Sequence, residues 1–212
     1  MTFEELKQTL PARLAVPLPG VQGQIRMAPR PRIGWRPDHV PDDVRHSGAL
    51  LLLYPVDGRP HLVLTVRDHK LVHHAGQVSL PGGAVEADES PEQAAVREAH
   101  EEVGVDPAAV HIVGELTPLH VPVSGNVLHA KVGLADRRPH WRPDRREVAR
   151  IVEVPLERLA DPAILTVDRR GRFERSVEVP YFGVEGEQVW GATAMVLSEF
   201  LCVLGLPPDP WT

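Results

Sequence analysis

The chain is short of cysteine, basic charge and long apolar runs, and each shortage excludes a class of protein. Cys202 is the single cysteine among 212 residues, so no internal disulfide can form and a reducing cytoplasm is the expected location. The 23 basic residues are outnumbered by 29 acidic ones, and the net charge of −6 argues against a nucleic-acid-binding protein. No apolar run reaches membrane-spanning length and no charged-then-apolar leader opens the chain. A soluble protein without a membrane partner is therefore predicted.

Proline, by contrast, is abundant, and its distribution suggests how the chain is organised. The 22 prolines include a dense group within residues 11–41, which follow a short amphipathic helix predicted at residues 3–10. We expect this connection to cover the surface of a single domain, with two roles left open: a homodimer interface, or part of a ligand cleft. The predicted division is an arm of residues 1–46, a domain of residues 47–206 and a tail of residues 207–212.

Strand and helix signals alternate along the central domain, which predicts an α/β fold. The continuous apolar run at residues 49–54 is typical of a buried strand, and Asp57-Gly58 predicts a hairpin turn into a strand at residues 61–66. Further strands are predicted at residues 111–116, 127–134, 148–154 and 176–182, and a closing helix at residues 190–204.

One helix is predicted from capping signals at both its N-terminal and its C-terminal end. Residues 83–105 read GAVEADESPEQAAVREAHEEVGV, in which Ser90 is an N-cap, Pro91 suits the first helical position and Gln93 completes a capping box. Gly104 then ends the helix in the manner of a C-terminal glycine cap.

This helix carries two distinct faces. Small or apolar residues recur every four positions and would let the helix lie close to a sheet: Ala95, Ala99 and Val103. Glu98, Glu101 and Glu102 stand at positions i, i+3 and i+4, so their carboxylates converge on another face.

Three converging carboxylates favour a metal site. If the carboxylates are partly desolvated, each pair at about 6 Å repels by roughly 2–3 kcal/mol at an effective dielectric of about 20. Mg²⁺ or Mn²⁺ would convert that repulsion into binding, because both ions prefer carboxylate oxygens. The alternative is a solvated acidic helix face. The preceding Gly82-Gly83 pair is either a plain tight turn or a bend whose backbone approaches a phosphate or metal, and we favour the second.

The offsets of the charged residues and glycines resemble a complete Nudix box, the signature of hydrolases acting on nucleoside diphosphates linked to another moiety. The matching positions are Gly83, Glu89, Arg97, Glu98, Glu101, Glu102 and Gly104, and the mild departure is Ala99 in place of a bulkier aliphatic residue. The resemblance implies a strand–loop–helix–loop unit inside an α/β/α sandwich with a mixed β-sheet.

The same resemblance implies roles for individual residues. Glu98 and Glu102 would bind Mg²⁺ or Mn²⁺, Glu101 would be a further ligand or the base, and Gly83 would offer its carbonyl. Structural support of the site would come from Arg97 pairing with Glu89, and from Gly104 at the helix end. Because family members take their base from different places, Glu147 is the rival candidate for the base.

The residues before the box resemble the coenzyme A pyrophosphatase branch of the superfamily. The matching residues are Leu64, Thr65, Arg67, Gly76, Pro81, Gly82 and Gly83, and the departures are Asp68, Val72 and Leu80. Val72 replaces a second arginine, for which Lys70, His73 or His74 could substitute. Residues 147–156 and 189–194 are also similar to that branch. The resemblance implies substrate contacts at Arg67, Gly76, Gly82 and Gly83, with a small-molecule nucleotide as substrate.

Other readings remain open or are excluded by single residues. A Nudix hydrolase of ADP-ribose, NADH or a nucleoside triphosphate would differ only in specificity. A Nudix-fold binding module without turnover is disfavoured, because such modules usually lose box carboxylates and all are present here. A zinc peptidase is excluded, because His100-Glu101-Glu102 lacks the second histidine at the required offset.

Overall fold

Runs of three or four consecutive strands are separated by helices along most of the described chain. A computed structural model describes residues 1–32, 44–69, 76–172 and 175–211. The helices are α1 (Phe3–Leu14), α2 (Val21–Gln24), α3 (Pro91–Val103), α4 (Leu156–Leu159) and α5 (Gly191–Val203), and short 3-10 turns occupy Ile25–Met27, Pro107–Ala109 and Pro162–Ile164. The strands are β1 (Arg45–Val56), β2 (Arg59–Arg67), β3 (Val78–Ser79), β4 (Gly82–Ala84), β5 (His111–Glu115), β6 (Leu119–Val121), β7 (Asn126–Leu134), β8 (Val148–Pro155), β9 (Leu165–Arg172), β10 (Arg175–Val184) and β11 (Glu187–Trp190).

The main sheet is mixed and is built around β1. Its strand order is β3-β2-β1-β7-β5, with β4 paired to β1, β6 to β7 and β8 to β2. The β1–β7 pair is parallel, whereas the other pairs are antiparallel. A separate antiparallel sheet has the order β11-β10-β9. The predicted α/β class with a mixed sheet is confirmed.

Strand β1 separates two apolar layers because its side chains alternate between the faces of the sheet. Leu50, Leu52 and Tyr54 are fully buried with Ala95 and Ala99 of α3. The neighbouring β1 residues Ala49, Leu51 and Leu53 belong to the larger cluster on the opposite face, which also contains side chains of α1 and α5. The sheet therefore lies between helices, as the α/β/α prediction requires.

Most of the predicted elements are confirmed. Predicted residues 49–54 and 61–66 fall within β1 and β2, and Asp57 and Gly58 form the turn between them, both with positive φ. The predicted strands at residues 111–116, 127–134, 148–154 and 176–182 correspond to β5, β7, β8 and β10, and the closing helix to α5.

The N-terminal helix was predicted too short. We expected it to end at residue 10, but α1 continues to Leu14 with Pro11 inside it. Its buried residues Phe3, Leu6 and Leu10 join the main core, so tertiary packing outweighs the hydrogen bond that proline removes. The proline-rich connection also contains α2 and pairs Arg30 with Glu178 of β10, while its residues 33–41 lie outside the described residues.

A buried carboxylate fixes this N-terminal region to the C-terminal helix. Glu199 of α5 is fully buried and accepts hydrogen bonds from the backbone of Gly20 (3.1 Å) and Thr117 (3.2 Å) and from the Gln24 side chain (2.9 Å). Ser198 also donates to the carbonyl of Gly23 at 2.6 Å. Because these partners come from distant parts of the chain, no local pattern predicts them. Within the described ranges, no helix is both long and apolar enough to cross a membrane.

The close approach of α3 to β1 depends on Gly48, and we predict that Gly48→Ala destabilises the fold. A Cβ at this position would lie 2.1 Å from the carbonyl oxygen of Pro91 and 2.7 Å from the nitrogen of Ala95. Separating the helix from the strand should cost about 1–3 kcal/mol of the free energy of unfolding, which urea denaturation measures. Gly171→Ala is the control, since no atom lies within 4 Å of its added Cβ. Equal losses for both variants would contradict the prediction.

Candidate active site

The acidic helix α3 has the end structures that its sequence predicts. Ser90 accepts from the backbone of Gln93, the Gln93 side chain accepts from the backbone of Ser90, and Pro91 starts the helix. Gly104 ends it in the left-handed conformation (φ 75°). Because Gly48 lets the helix lie directly on β1, the carboxylates of α3 reach the neighbouring strand β4.

Glu98 lies directly against the glycine pair of β4. A Cβ on Gly83 would sit only 2.3 Å from the Glu98 carboxyl group, so a side chain there would displace it. Gly82 is equally confined, since its added Cβ would lie 2.4 Å from the carbonyl oxygen of Gly48. Burial raises the pKa of Glu98, an effect that its ion pair with Arg97 opposes.

Arg97 connects the helix to the loop before it. Its guanidinium donates to both carboxylate oxygens of Glu89, at 2.8 and 3.0 Å, and to the carbonyl oxygen of Ala84 at 3.1 Å. It also donates to Glu98 at 2.8 Å and more weakly to Glu101 at 3.4 Å. The Arg97 hydrogen bond holds the pKa of Glu89 below its usual value. The expected Arg97–Glu89 pairing is confirmed, and it fixes the Glu98 carboxylate as well.

Glu102 is the most deeply buried carboxylate of the group, with 3% of its surface exposed. It accepts from the backbone nitrogen of Gly82 at 3.3 Å, and a guanidinium nitrogen of Arg67 lies 3.7 Å from its other oxygen. Burial raises its pKa to about 7, and the charges of Glu98 and Glu147 add to this effect, while Arg67 opposes it. The carboxylate therefore lacks full compensation of its charge.

Glu101 and Glu147, the two candidates for the base, are less enclosed. Glu101 keeps 58% of its side chain exposed and leans towards Arg97. Glu147 lies in the turn directly before β8, where its backbone nitrogen donates to the carbonyl of Asp144 at 3.0 Å. Its charge nevertheless acts on both Glu98 and Glu102, so the turn places it near them.

Asp144 is a positioning residue that the motifs did not reveal. Its backbone nitrogen donates to the Glu102 carbonyl at 3.0 Å, and its side chain accepts from the backbone of Arg146 at 2.9 Å. These bonds attach the turn carrying Glu147 to the end of α3. Aspartate directly before Arg145 is a turn signal in the sequence, but nothing local indicates which helix the turn contacts.

The residues predicted to bind substrate lie near these carboxylates. The residues considered as substitutes for the missing second arginine lie outside the described residues. Gly76 adopts a left-handed conformation (φ 69°) and its backbone nitrogen donates to the Arg67 carbonyl at 3.1 Å, so the two are adjacent. Gly82 and Gly83 form the bend below α3. The substitutes outside the described residues are Lys70, His73 and His74, and Val72 lies outside them too.

The donor chemistry of the site fits a hard divalent cation. Buried Glu102 and partly buried Glu98 lie beside the glycine pair of β4, where the backbone of Gly82 donates to Glu102 and Gly83 has no side chain to displace Glu98. Across residues 1–32, 44–69, 76–172 and 175–211, no three acidic, histidine or cysteine side chains are arranged to hold an ion unaided. Mg²⁺ suits this incomplete set, because it retains several waters and is commonly held by one or two carboxylates plus substrate phosphates.

A cavity of about 590 Å³ opens elsewhere, beside the C-terminal end of α3. Its lining includes His100, Gly104, Asp106, His111, Arg137 and Arg142, but neither Glu98 nor Glu102. The carboxylate cluster, which combines charge, burial and a confined backbone, is therefore the better candidate for chemistry than this cavity.

Comparison with known proteins agrees with the geometry of the carboxylate cluster. A family model described as the NUDIX domain matches residues 44–175. The chain belongs to the Nudix family. An uncharacterized Nudix hydrolase, NudL, of Citrobacter koseri is 38% identical over 168 residues, covering 77% of this chain and 85% of that protein. NudL of Salmonella paratyphi B is 38% identical over 179 residues, covering 82% and 91%.

Solved structures of Nudix proteins are also similar to this chain. A Nudix hydrolase from M. smegmatis, RenU, shares 29% identity with a TM-score of 0.44, covering 55% of this chain and 73% of that one. A C. elegans Ap4A hydrolase shares 19% identity with a TM-score of 0.47, covering 54% and 82%. Nudix hydrolases are pyrophosphatases of small-molecule nucleotide substrates and generally use Mg²⁺ or Mn²⁺, so the family supports both the enzyme class and the cofactor expectation.

Glu102 should make the metal-free protein less stable as the pH rises. Because its folded pKa of about 7 exceeds the ordinary 4.5, the folded chain binds this proton more tightly than the unfolded chain does. The resulting stabilisation is complete below about pH 4.5 and is lost as the pH rises through about 7, amounting to at most about 3 kcal/mol.

Urea unfolding in EDTA, from about pH 4 to about pH 8, measures this loss against Glu102→Gln. We expect the wild-type stability to fall relative to that of the variant over this range. Glu101→Gln, which changes an exposed carboxylate, should keep the wild-type pH dependence. Parallel pH profiles for wild type and Glu102→Gln would show that the buried carboxyl group does not titrate as stated.

Proposed function

We propose that the protein is a metal-dependent pyrophosphohydrolase of coenzyme A or its acyl derivatives. The observation that carries the proposal is the pair of carboxylates, buried Glu102 and partly buried Glu98, held against the side-chain-free bend of Gly82 and Gly83. Coenzyme A would be cleaved to 4′-phosphopantetheine, or its acyl form, and adenosine 3′,5′-bisphosphate.

Glu98 and Glu102 would hold the ion, with Glu101 as a further ligand and the carbonyl of Gly83 as a main-chain donor. When bound, Mg²⁺ or Mn²⁺ supplies charge neutralisation at the diphosphate and lowers the pKa of a bound water. Arg97 fixes the Glu98 carboxylate, because the two oxygens of Glu89 and the carbonyl of Ala84 hold its guanidinium in place.

A carboxylate must accept the proton of the attacking water, and two side chains are candidates. Glu101 is on the same helix face as the proposed ligands, is largely exposed, and is reached by Arg97 at 3.4 Å. Glu147 is on the turn that Asp144 attaches to α3, and its charge raises the pKa of both Glu98 and Glu102. Both side chains are exposed, so a base at either position would be accessible to water.

Support for coenzyme A comes from where the stretches similar to that branch lie. Residues 147–156 include β8, which pairs with β2 as far as the Arg67–Val148 register. Residues 189–194 include the start of α5, where Thr193 donates from its hydroxyl to the carbonyl of Val78 on β3 at 3.1 Å. The segments are distant in sequence, but both adjoin the Arg67 end of β2, one through β8 and the other through β3.

A second candidate function is hydrolysis of another nucleoside diphosphate-linked compound, such as ADP-ribose, NADH or a nucleoside triphosphate. The observation that favours it is Val72, which replaces the second arginine of the coenzyme A branch. A binding module without turnover is a poorer candidate, because the box carboxylates are all present and Glu102 is buried among them.

Replacing either Glu98 or Glu102 should lower the turnover rate sharply. We expect Glu98→Gln and Glu102→Gln each to lower kcat with saturating Mg²⁺ by about 10²–10⁴-fold, because each variant loses an ionic oxygen donor while keeping the side-chain shape. Glu92→Gln, an exposed carboxylate in the first turn of the same helix, should retain wild-type kcat. Retained Mg²⁺-dependent activity in both test variants would refute the metal assignment.

Substrate choice is tested by a panel of coenzyme A, acyl-coenzyme A, ADP-ribose, NADH and nucleoside triphosphates, each with Mg²⁺ or Mn²⁺. We expect coenzyme A or its acyl form to have a kcat/KM at least about tenfold above the others, equivalent to about 1.4 kcal/mol of transition-state discrimination. Product analysis should show adenosine 3′,5′-bisphosphate. Similar kcat/KM values across the panel would contradict the coenzyme A assignment while leaving a general diphosphatase.

A further inference from the structure

A row of polar side chains crosses three strands on the face of the sheet that α3 covers. The ring nitrogen Nδ1 of His46 lies 3.0 Å from Nε2 of His129, whose Nδ1 lies 2.9 Å from Glu115. Lys131 donates to the other oxygen of Glu115 at 2.6 Å. His46 is on β1, His129 and Lys131 are on β7, and Glu115 is on β5, so the row joins adjacent strands.

The hydrogen bonds determine which nitrogen of His129 carries its proton. An ionised carboxylate can only accept, so Nδ1 of His129 donates to Glu115 and Nε2 presents its lone pair to His46. His46 is exposed, and its proton can move from Nδ1 to Nε2 by a change of tautomer. Two imidazole lone pairs then face each other, and no net proton needs to leave the protein.

The spacing of these two nitrogens is close to that of two ligands of one metal ion. Tetrahedral Zn²⁺ with Zn–N bonds of about 2.0–2.1 Å separates its nitrogen ligands by about 3.3 Å. The observed 3.0 Å needs to widen by about 0.3 Å, and exposed His46 can make that adjustment. A carboxylate that accepts from the second nitrogen of a ligating histidine, as Glu115 does for His129, is the usual support of such a ligand.

We propose that His46 and His129 form a second metal site, selective for Zn²⁺ over Mg²⁺ and completed by water. Imidazole nitrogen suits Zn²⁺, whereas Mg²⁺ prefers oxygen, so the site differs in chemistry from the carboxylates of α3. It also differs in position, because β4 and β7 are separate partners of β1 and His129 belongs to β7. Lys131 pairs with one oxygen of Glu115 while His129 bonds the other, so Glu115 would support His129 rather than ligate the ion itself.

The site bears on the loop of the Nudix box. The carbonyl of His46 accepts from the backbone nitrogen of Val85 at 3.0 Å, and the adjacent Ser47 pairs with Ala84 of β4. An ion between His46 and His129 would add a link between β1 and β7. Because β1 also contacts Ala84 and Val85, this link lies next to the loop of the Nudix box. Because the ion binds the folded chain, Zn²⁺ should raise the Tm in a concentration-dependent way.

The test is isothermal titration of the untagged full chain with Zn²⁺ in excess Mg²⁺, which saturates the carboxylates. We expect wild type to bind one equivalent of Zn²⁺ that His46→Ala and His129→Ala both lose, together with the Zn²⁺-dependent rise in Tm. Glu115→Gln should weaken Zn²⁺ binding by about 10–100-fold, because His129 loses its ionic support. His140→Ala, which removes an exposed histidine elsewhere, should bind Zn²⁺ as wild type does.

The outcomes separate the site from adventitious binding. Zn²⁺ binding that survives in both His46→Ala and His129→Ala, or wild type that binds no Zn²⁺ in the presence of Mg²⁺, would overturn the proposal. Because His46 is exposed, its variant tests the site even if His129→Ala fails to fold. Turnover of His46→Ala with Mg²⁺ alone should equal that of wild type, which distinguishes loss of this site from loss of the catalytic one.

Discussion

The candidate active site depends on how closely α3 approaches β1. Gly48 has no side chain, and the backbone of the first turn of α3 occupies the space that a Cβ would need. This contact fixes the height of the helix above the sheet, and the capping residues fix where it starts and ends. Glu98 and Glu102 consequently lie against Gly82 and Gly83, where partial or full burial disfavours their charged forms and raises their pKa values.

The charge balance around this contact explains why the site suits a cation. The charge of Glu147 acts on both Glu98 and Glu102, which also act on each other, while Arg97 pairs with Glu98 and Arg67 lies near Glu102. The two oxygens of Glu89 hold Arg97, so its charge is shared among several acids. The incomplete compensation appears as the raised pKa of Glu102. A divalent ion supplies the missing charge and needs only a few protein oxygens.

Features encoded locally were predictable from sequence, whereas features created by packing were not. The caps and carboxylate face of α3, the Asp57-Gly58 hairpin and the long strands follow from residue spacing. The two- and three-residue strands β3 and β4 exist only through their pairing with β2 and β1, so no periodicity marks them. The buried partners of Glu199 and the turn at Asp144 likewise depend on segments far away in sequence.

Arg67 links metal binding to substrate binding in the proposed mechanism. Its side chain is about three-quarters buried, and one guanidinium nitrogen lies 3.7 Å from Glu102, too far for a good hydrogen bond but close enough to offset charge. An ion coordinated by Glu102 would compete with Arg67 for the same carboxylate. The guanidinium would then be available to a phosphate oxygen of the substrate at the moment the metal is in place. Metal and diphosphate would therefore favour each other's binding at this site, because each offsets the charge that the other leaves uncompensated.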